Sequence, residues 1–191
     1  MQSLTLMLGR LAVAILLLGT LDSQAEAQVE VDPDQQYLLL ATERTGTMEE
    51  ELDEAAALGF RVVLGAPSSG DEVVLFLQRA VEPPDTYDYR LIATSRSSTM
   101  QEEFDAAAAE GFRFLGRTPI CKSRRFGTDE AVAILERSPE GDQRYEYLIL
   151  ATNRTSTLQE EVTEAVAEGF AISGLVSCSE HIVVMEREAP S

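Results

Sequence analysis

The sequence predicts an α+β protein of three tandem β-α-β-β units, mainly antiparallel sheets, each with one helix on a face. Three observations carry this. One helical phrase recurs as Thr47 to Phe60, Thr99 to Phe112 and Thr157 to Phe170. An alternating strand precedes it, opening Tyr87-x-Tyr89 and Tyr145-x-Tyr147 in the second and third copies. An apolar strand closes each copy, as in Val73-Val74-Leu75-Phe76-Leu77.

The helices carry their own start and stop signals. Thr47, Thr99 and Thr157 are the expected N-caps, with Glu50, Glu102 and Glu160 three residues on to complete a capping box. Gly59, Gly111 and Gly169 are the expected left-handed stops, each followed by a Phe placed to fold back on the helix. Met48, Leu52, Ala55 and Ala56 form one apolar stripe, repeated as Met100, Phe104, Ala107 and Ala108, then as Leu158, Val162, Ala165 and Val166. The opposite faces are rich in glutamate and read as solvated surface.

The remaining elements follow the same grammar. Strands are expected at 37–41, 61–64 and 72–78, at 87–93, 113–117 and 130–136, and at 145–151, 171–176 and 181–186. The units span 37–81, 87–137 and 145–188. Two turn-rich linkers, Glu82 to Asp85 and Ser138 to Asp142, separate them. Leu38, Leu40, Ile92, Leu148 and Leu150 make the strands apolar on both sides. A sheet with one wet face should alternate. The helix-free faces are therefore expected to be buried against each other or joined edge to edge, because a unit of about 50 residues has a marginal core alone.

The pattern Tyr145-x-Tyr147, the Leu-Gln-Glu-Glu helix, Glu168-Gly169-Phe170 and a hairpin ending Met185-Glu186-Arg187 resembles a small bacterial β-α-β-β domain family of unknown function. The first copy departs most, with Gln35 in place of the first Tyr and Leu58 before the glycine. The resemblance implies a fold and no activity.

The N-terminus reads as a signal peptide over 1–27. Arg10 supplies the charge, Leu11 to Leu21 the apolar core, and Ala25-Glu26-Ala27 the cleavage site. That core is about 11 residues, against roughly 20 for a membrane span. Residues 28–36 read as a flexible leader. Export to the periplasm or the extracellular medium is the expectation, with no membrane association after cleavage. A formal charge of −18 disfavours nucleic acid and anionic lipid as partners.

Three constellations remain as candidate sites. Thr42-Glu43-Arg44, Thr94-Ser95-Arg96 and Thr152-Asn153-Arg154 precede the helices, where hydroxyls, an Arg and a helix N-terminus together can hold an anion. Alternatively, Arg44, Arg96 and Arg154 pair with glutamates of the next turn and the threonines order the loop. Cys121 and Cys178 occupy matching turns where the first unit has Ser68 and Ser69, and an even pair in an oxidising compartment suggests one disulfide. The rival reading takes Cys121, Cys178 and His181, with Glu180 nearby, as ligands for copper or zinc. Lys122, Arg124, Arg125 and Phe126 lie in the only basic cluster, a candidate partner contact. No phosphate loop, serine elbow or paired-histidine motif occurs, and no cofactor is implied. The expectation is an exported, non-catalytic binding or structural module acting on an unknown protein or small ligand, with metal binding as the alternative.

Overall fold

A computed structural model describes residues 31–32, 34–68, 71–124, 127–138 and 144–190. The expected signal peptide over 1–27, Pro33 and most of the second linker lie outside them.

Each unit is an antiparallel sheet with one helix, as the repeat predicts, three-stranded in the first and third units and four-stranded in the second. The first comprises β1 (Tyr37–Thr42), α1 (Thr45–Ala57), β2 (Phe60–Pro67) and β3 (Val73–Arg79). The second comprises β4 (Asp88–Thr94), α2 (Ser97–Ala109), β5 (Arg113–Phe114), β6 (Ile120–Lys122) and β7 (Glu130–Arg137). The third comprises β8 (Tyr145–Thr152), α3 (Thr155–Ala167), β9 (Ala171–Ser177) and β10 (His181–Glu188). The last strand is central every time, giving the orders β1-β3-β2, β4-β7-β5 and β8-β10-β9, with β6 also on β7.

The helices stop as read and start differently. Gly59, Gly111 and Gly169 have φ of 84°, 89° and 92°. In α2 and α3 the following Phe N–H donates back to Ala107 O and Ala165 O, both at 3.0 Å. At the other end the expected capping boxes do not form. The N-cap positions are Arg44, Arg96 and Arg154, without a side-chain cap bond, so Thr47, Thr99 and Thr157 already lie inside the first turn. The ordering threonines are Thr42, Thr94 and Thr152. Their hydroxyls accept the N–H of Arg44, Arg96 and Arg154 at 3.4, 3.2 and 3.2 Å. A threonine two residues before the helix closes a local turn, which fixes the entry of the chain and brings the helix start forward.

One expected strand is interrupted. Residues 113–117 were to form a single strand, but β5 ends at Phe114 and pairing on β7 resumes at Ile120. Buried Thr118 plugs the gap, its Oγ1 donating to Leu115 O (2.7 Å) and accepting the Ile134 N–H (3.1 Å).

The packing corrects the expectation that helix-free faces meet one another. Two of the three are buried, but each against the preceding unit's helix side. Leu52, Leu75 and Leu77 of the first unit share a core with Tyr89, Leu91 and Ile134 from the helix-free face of the second. Phe104, Phe112 and Leu135 share the next core with Tyr147, Val176 and Val184 of the third. Leu148, Val162, Phe170 and Met185 form a third, smaller cluster. The units thus stack in one direction, helix side onto helix-free side. Among the described residues, no unit covers the helix-free face of the first unit at one end or the α3 side of the third at the other.

Candidate functional site

The chemistry-bearing groups gather where one unit meets the next. Val62 precedes a bulge, where β2 slips register before Leu64, Ile172 precedes the matching slip in β9, and in the second unit the strand breaks after Phe114. The interruption turns backbone N–H groups away from their own sheet, and a tyrosine from the next unit takes them up. Val62 N donates to Tyr89 Oη at 3.0 Å, and Phe114 N donates to Tyr147 Oη at 2.8 Å. Tyr89 Oη in turn donates to Glu136 Oε2 at 3.0 Å.

An arginine beside each of these positions completes the junction. Arg61 grips Glu136 with Nε to Oε2 at 3.0 Å and Nη2 to Oε1 at 2.8 Å, and stands 4.2 Å over the Tyr87 ring. Arg113 repeats this one unit on, 2.9 Å from Glu186 and 4.3 Å over Tyr145. The two pairs line a cleft of about 500 Å³ with Arg117, Ile172 and Ser173. Burial pushes the Tyr89 phenol far above its ordinary range, helped by the Glu136 carboxylate, and burial does the same to Tyr147. Both hydroxyls stay protonated and serve as fixed hydrogen-bond partners. Sequence reading missed Arg61, Arg113, Glu136 and Glu186. Their signal was an arginine after the Phe in two units and a glutamate before the last arginine in two units, offset by one unit.

A polar side chain on α1 and one on α2 also reach the neighbouring unit's strand edge. Gln101 Oε1 accepts the Ile149 N–H (2.8 Å) and its Nε2 donates to Tyr147 O (3.0 Å), pairing β8 as a strand would. Glu49 takes the corresponding place in the first unit, accepting the Leu91 N–H at 3.3 Å.

The candidates from sequence are placed as follows. Cys121 and Cys178 form a disulfide that bridges the second and third units. Both sulfurs are spent in it, so the Cys121, Cys178 and His181 ligand set is not assembled, and His181 Nδ1 lies 2.9 Å from Ser177 Oγ. No cluster of three or more metal-ligating side chains occurs among the described residues. Arg44, Arg96 and Arg154 are exposed, each on its own unit, and none lines the cleft. Lys122 is buried, donating to Glu43 O of the first unit, so it joins units instead of presenting a charge. Arg124 is exposed and paired with Glu130 at 3.0 Å. Arg125 and Phe126 lie outside the described residues.

The fold and junctions define a three-unit, one-directional β-α-β-β stack. No protein-family model, curated protein or solved structure matches the chain. The internal repeat therefore stands on the structure itself, and nothing ties it to the bacterial family its motifs resemble.

Proposed function

We propose that the chain is an exported, non-catalytic binding or structural module that works through its surfaces. The observation that carries this is the use made of the cleft's charged groups. Arg61, Glu136, Arg113 and Glu186 face one another across unit boundaries, and the tyrosines beside them are held as neutral donors or acceptors. Groups so engaged hold units in register, and perturbed residues of this kind also occur in purely structural networks. The apolar N-terminal stretch and the disulfide support export to an oxidising compartment.

The test is made on protein recovered from the exported fraction of its host. A mature chain beginning at Gln28, no titratable thiol under denaturant and no tightly held metal is the expected result. Two free thiols with stoichiometric copper or zinc would replace this reading with metal binding. A chain retained in the cytosol with its N-terminus intact would remove export.

A further inference from the structure

We propose that the two open ends of the stack bind each other, so that the α3 side of one copy receives the helix-free face of the first unit of a second copy. The inference rests on the binding-module reading and names the partner. The junction needed already occurs twice inside the chain, between the first and second units and between the second and third.

Each open end carries the parts that are buried at those junctions. Tyr37 occupies the position of Tyr89 and Tyr147; it is 53% exposed where they are 5% exposed. Leu39, the counterpart of Leu91 and Ile149, is 57% exposed and sits beside Phe76 across the sheet. On the other end Ile172, the counterpart of Val62 and Phe114, is 61% exposed. Leu175 on the same strand and Val166 on α3 are exposed as well. Gln159 stands where Gln101 stands, and among the described residues its side chain bonds Thr163 of its own helix, at 3.3 Å, in place of a strand. In the assembled form Gln159 pairs Tyr37 O and Leu39 N of the second copy. The Gln35 side chain, which occupies Tyr37 O at 2.6 Å in the single chain, is displaced.

The charges agree with this assignment. Every internal junction has an Arg on one side and a Glu on the other, yet the third unit has Ala171 in place of Arg61 and Arg113, and the first has Gln78 in place of Glu136 and Glu186. Both members of the ion pair are missing together. Joining the ends leaves no buried charge without its partner, the case that costs most. End units built to face water carry polar outer faces instead.

The experiment measures the mass of the processed, full-length protein by sedimentation up to about 0.1 mM, a range that detects interfaces of micromolar affinity. The average mass is expected to rise with concentration, and to rise further with salt, because the strongly acidic chain repels its copies. Leu39→Glu blocks one end and Ile172→Glu the other. Both positions are exposed, and circular dichroism with the melting temperature verifies that each variant folds. Each variant alone should be monomeric, and an equimolar mixture should form a 1:1 dimer that grows no further, since each supplies the end that the other lacks. That rescue is peculiar to a head-to-tail contact. A wild type that stays monomeric throughout, or an association that neither variant alters, overturns the proposal. So does loss of association by one variant that the mixture fails to restore. None of these outcomes touches the thiol, metal and N-terminus measurements on which the module reading depends.

Discussion

Tyr147 shows what single atoms contribute to the junctions. Its hydroxyl is the acceptor for the Phe114 N–H, and both residues are buried. Tyr147→Phe keeps the ring and strands that N–H, so it should cost about 1–3 kcal/mol, read as a lowered midpoint in urea. Glu103 gives a pH test. Burial first, and then the neighbouring Glu102, raise its carboxyl above the ordinary 4.5. A raised acid stabilises while protonated, so its contribution is full below pH 4.5 and fades as pH climbs through the folded value. Glu103→Gln should therefore raise the melting temperature at pH 7 and leave it unchanged at pH 3.5, with a gain below about 0.5 kcal/mol after solvent screening. At this scale the sequence was only partly legible. The tyrosines could be assigned a face from their alternation, but their hydroxyl partners lie in another unit, beyond the reach of local pattern. The threonines of the helix entry were misassigned by five residues because two threonine positions compete for the same role. Geometry chose the one outside the helix.

Helix stripes and glycine stops were readable because each depends on residues within one turn of chain. The use of those stripes was not. Phe104 packs edge-on to Phe114 at 5.3 Å between ring centres and to Tyr147 at 5.1 Å, the second contact crossing into the third unit. Val162, its counterpart on α3, packs among the described residues only in the third unit's own cluster and is half-buried. Phe104→Ala should cost about 3–5 kcal/mol and Val162→Ala well under half of that, a difference that calorimetry will show. The glycines separate in the same manner. An alanine at Gly169 meets nothing within 4 Å and suffers only its φ of 92°, whereas one at Gly116 places Cβ 2.0 Å from Ser173 O. Gly116→Ala must push the second and third units apart and should lower the melting temperature more than Gly169→Ala, whose strain is about 1 kcal/mol. The broken strand at 115–119 escaped prediction although Gly116 and Pro119 stand in it, because Thr118 repairs the missing ladder bonds from within.

For the molecule as a whole, the repeat predicted shared cores, and the way they are shared came only from the structure. Apolar residues on both faces of a strand say that both are covered; they do not say by what. A helix side and a second sheet are equally apolar covers, and Ile134, buried with half-buried Leu91 among first-unit residues, shows that the helix side was chosen. The disulfide closes a sequence separation of 57, worth about 4 kcal/mol in the chain-entropy model. Reduction, or Cys121→Ser with Cys178→Ser, should lower the melting temperature by about 10 °C and loosen the second junction before the first. Adjacent residues of β6 hold opposite flanks of the middle unit, Lys122 toward the first and Cys121 toward the third. Alternation along a strand makes this possible, since neighbouring side chains point to opposite faces. A protease that nicked the backbone between Lys122 and Glu130 would consequently release nothing. The fragments would migrate as one band on a gel until a reductant parted them into two.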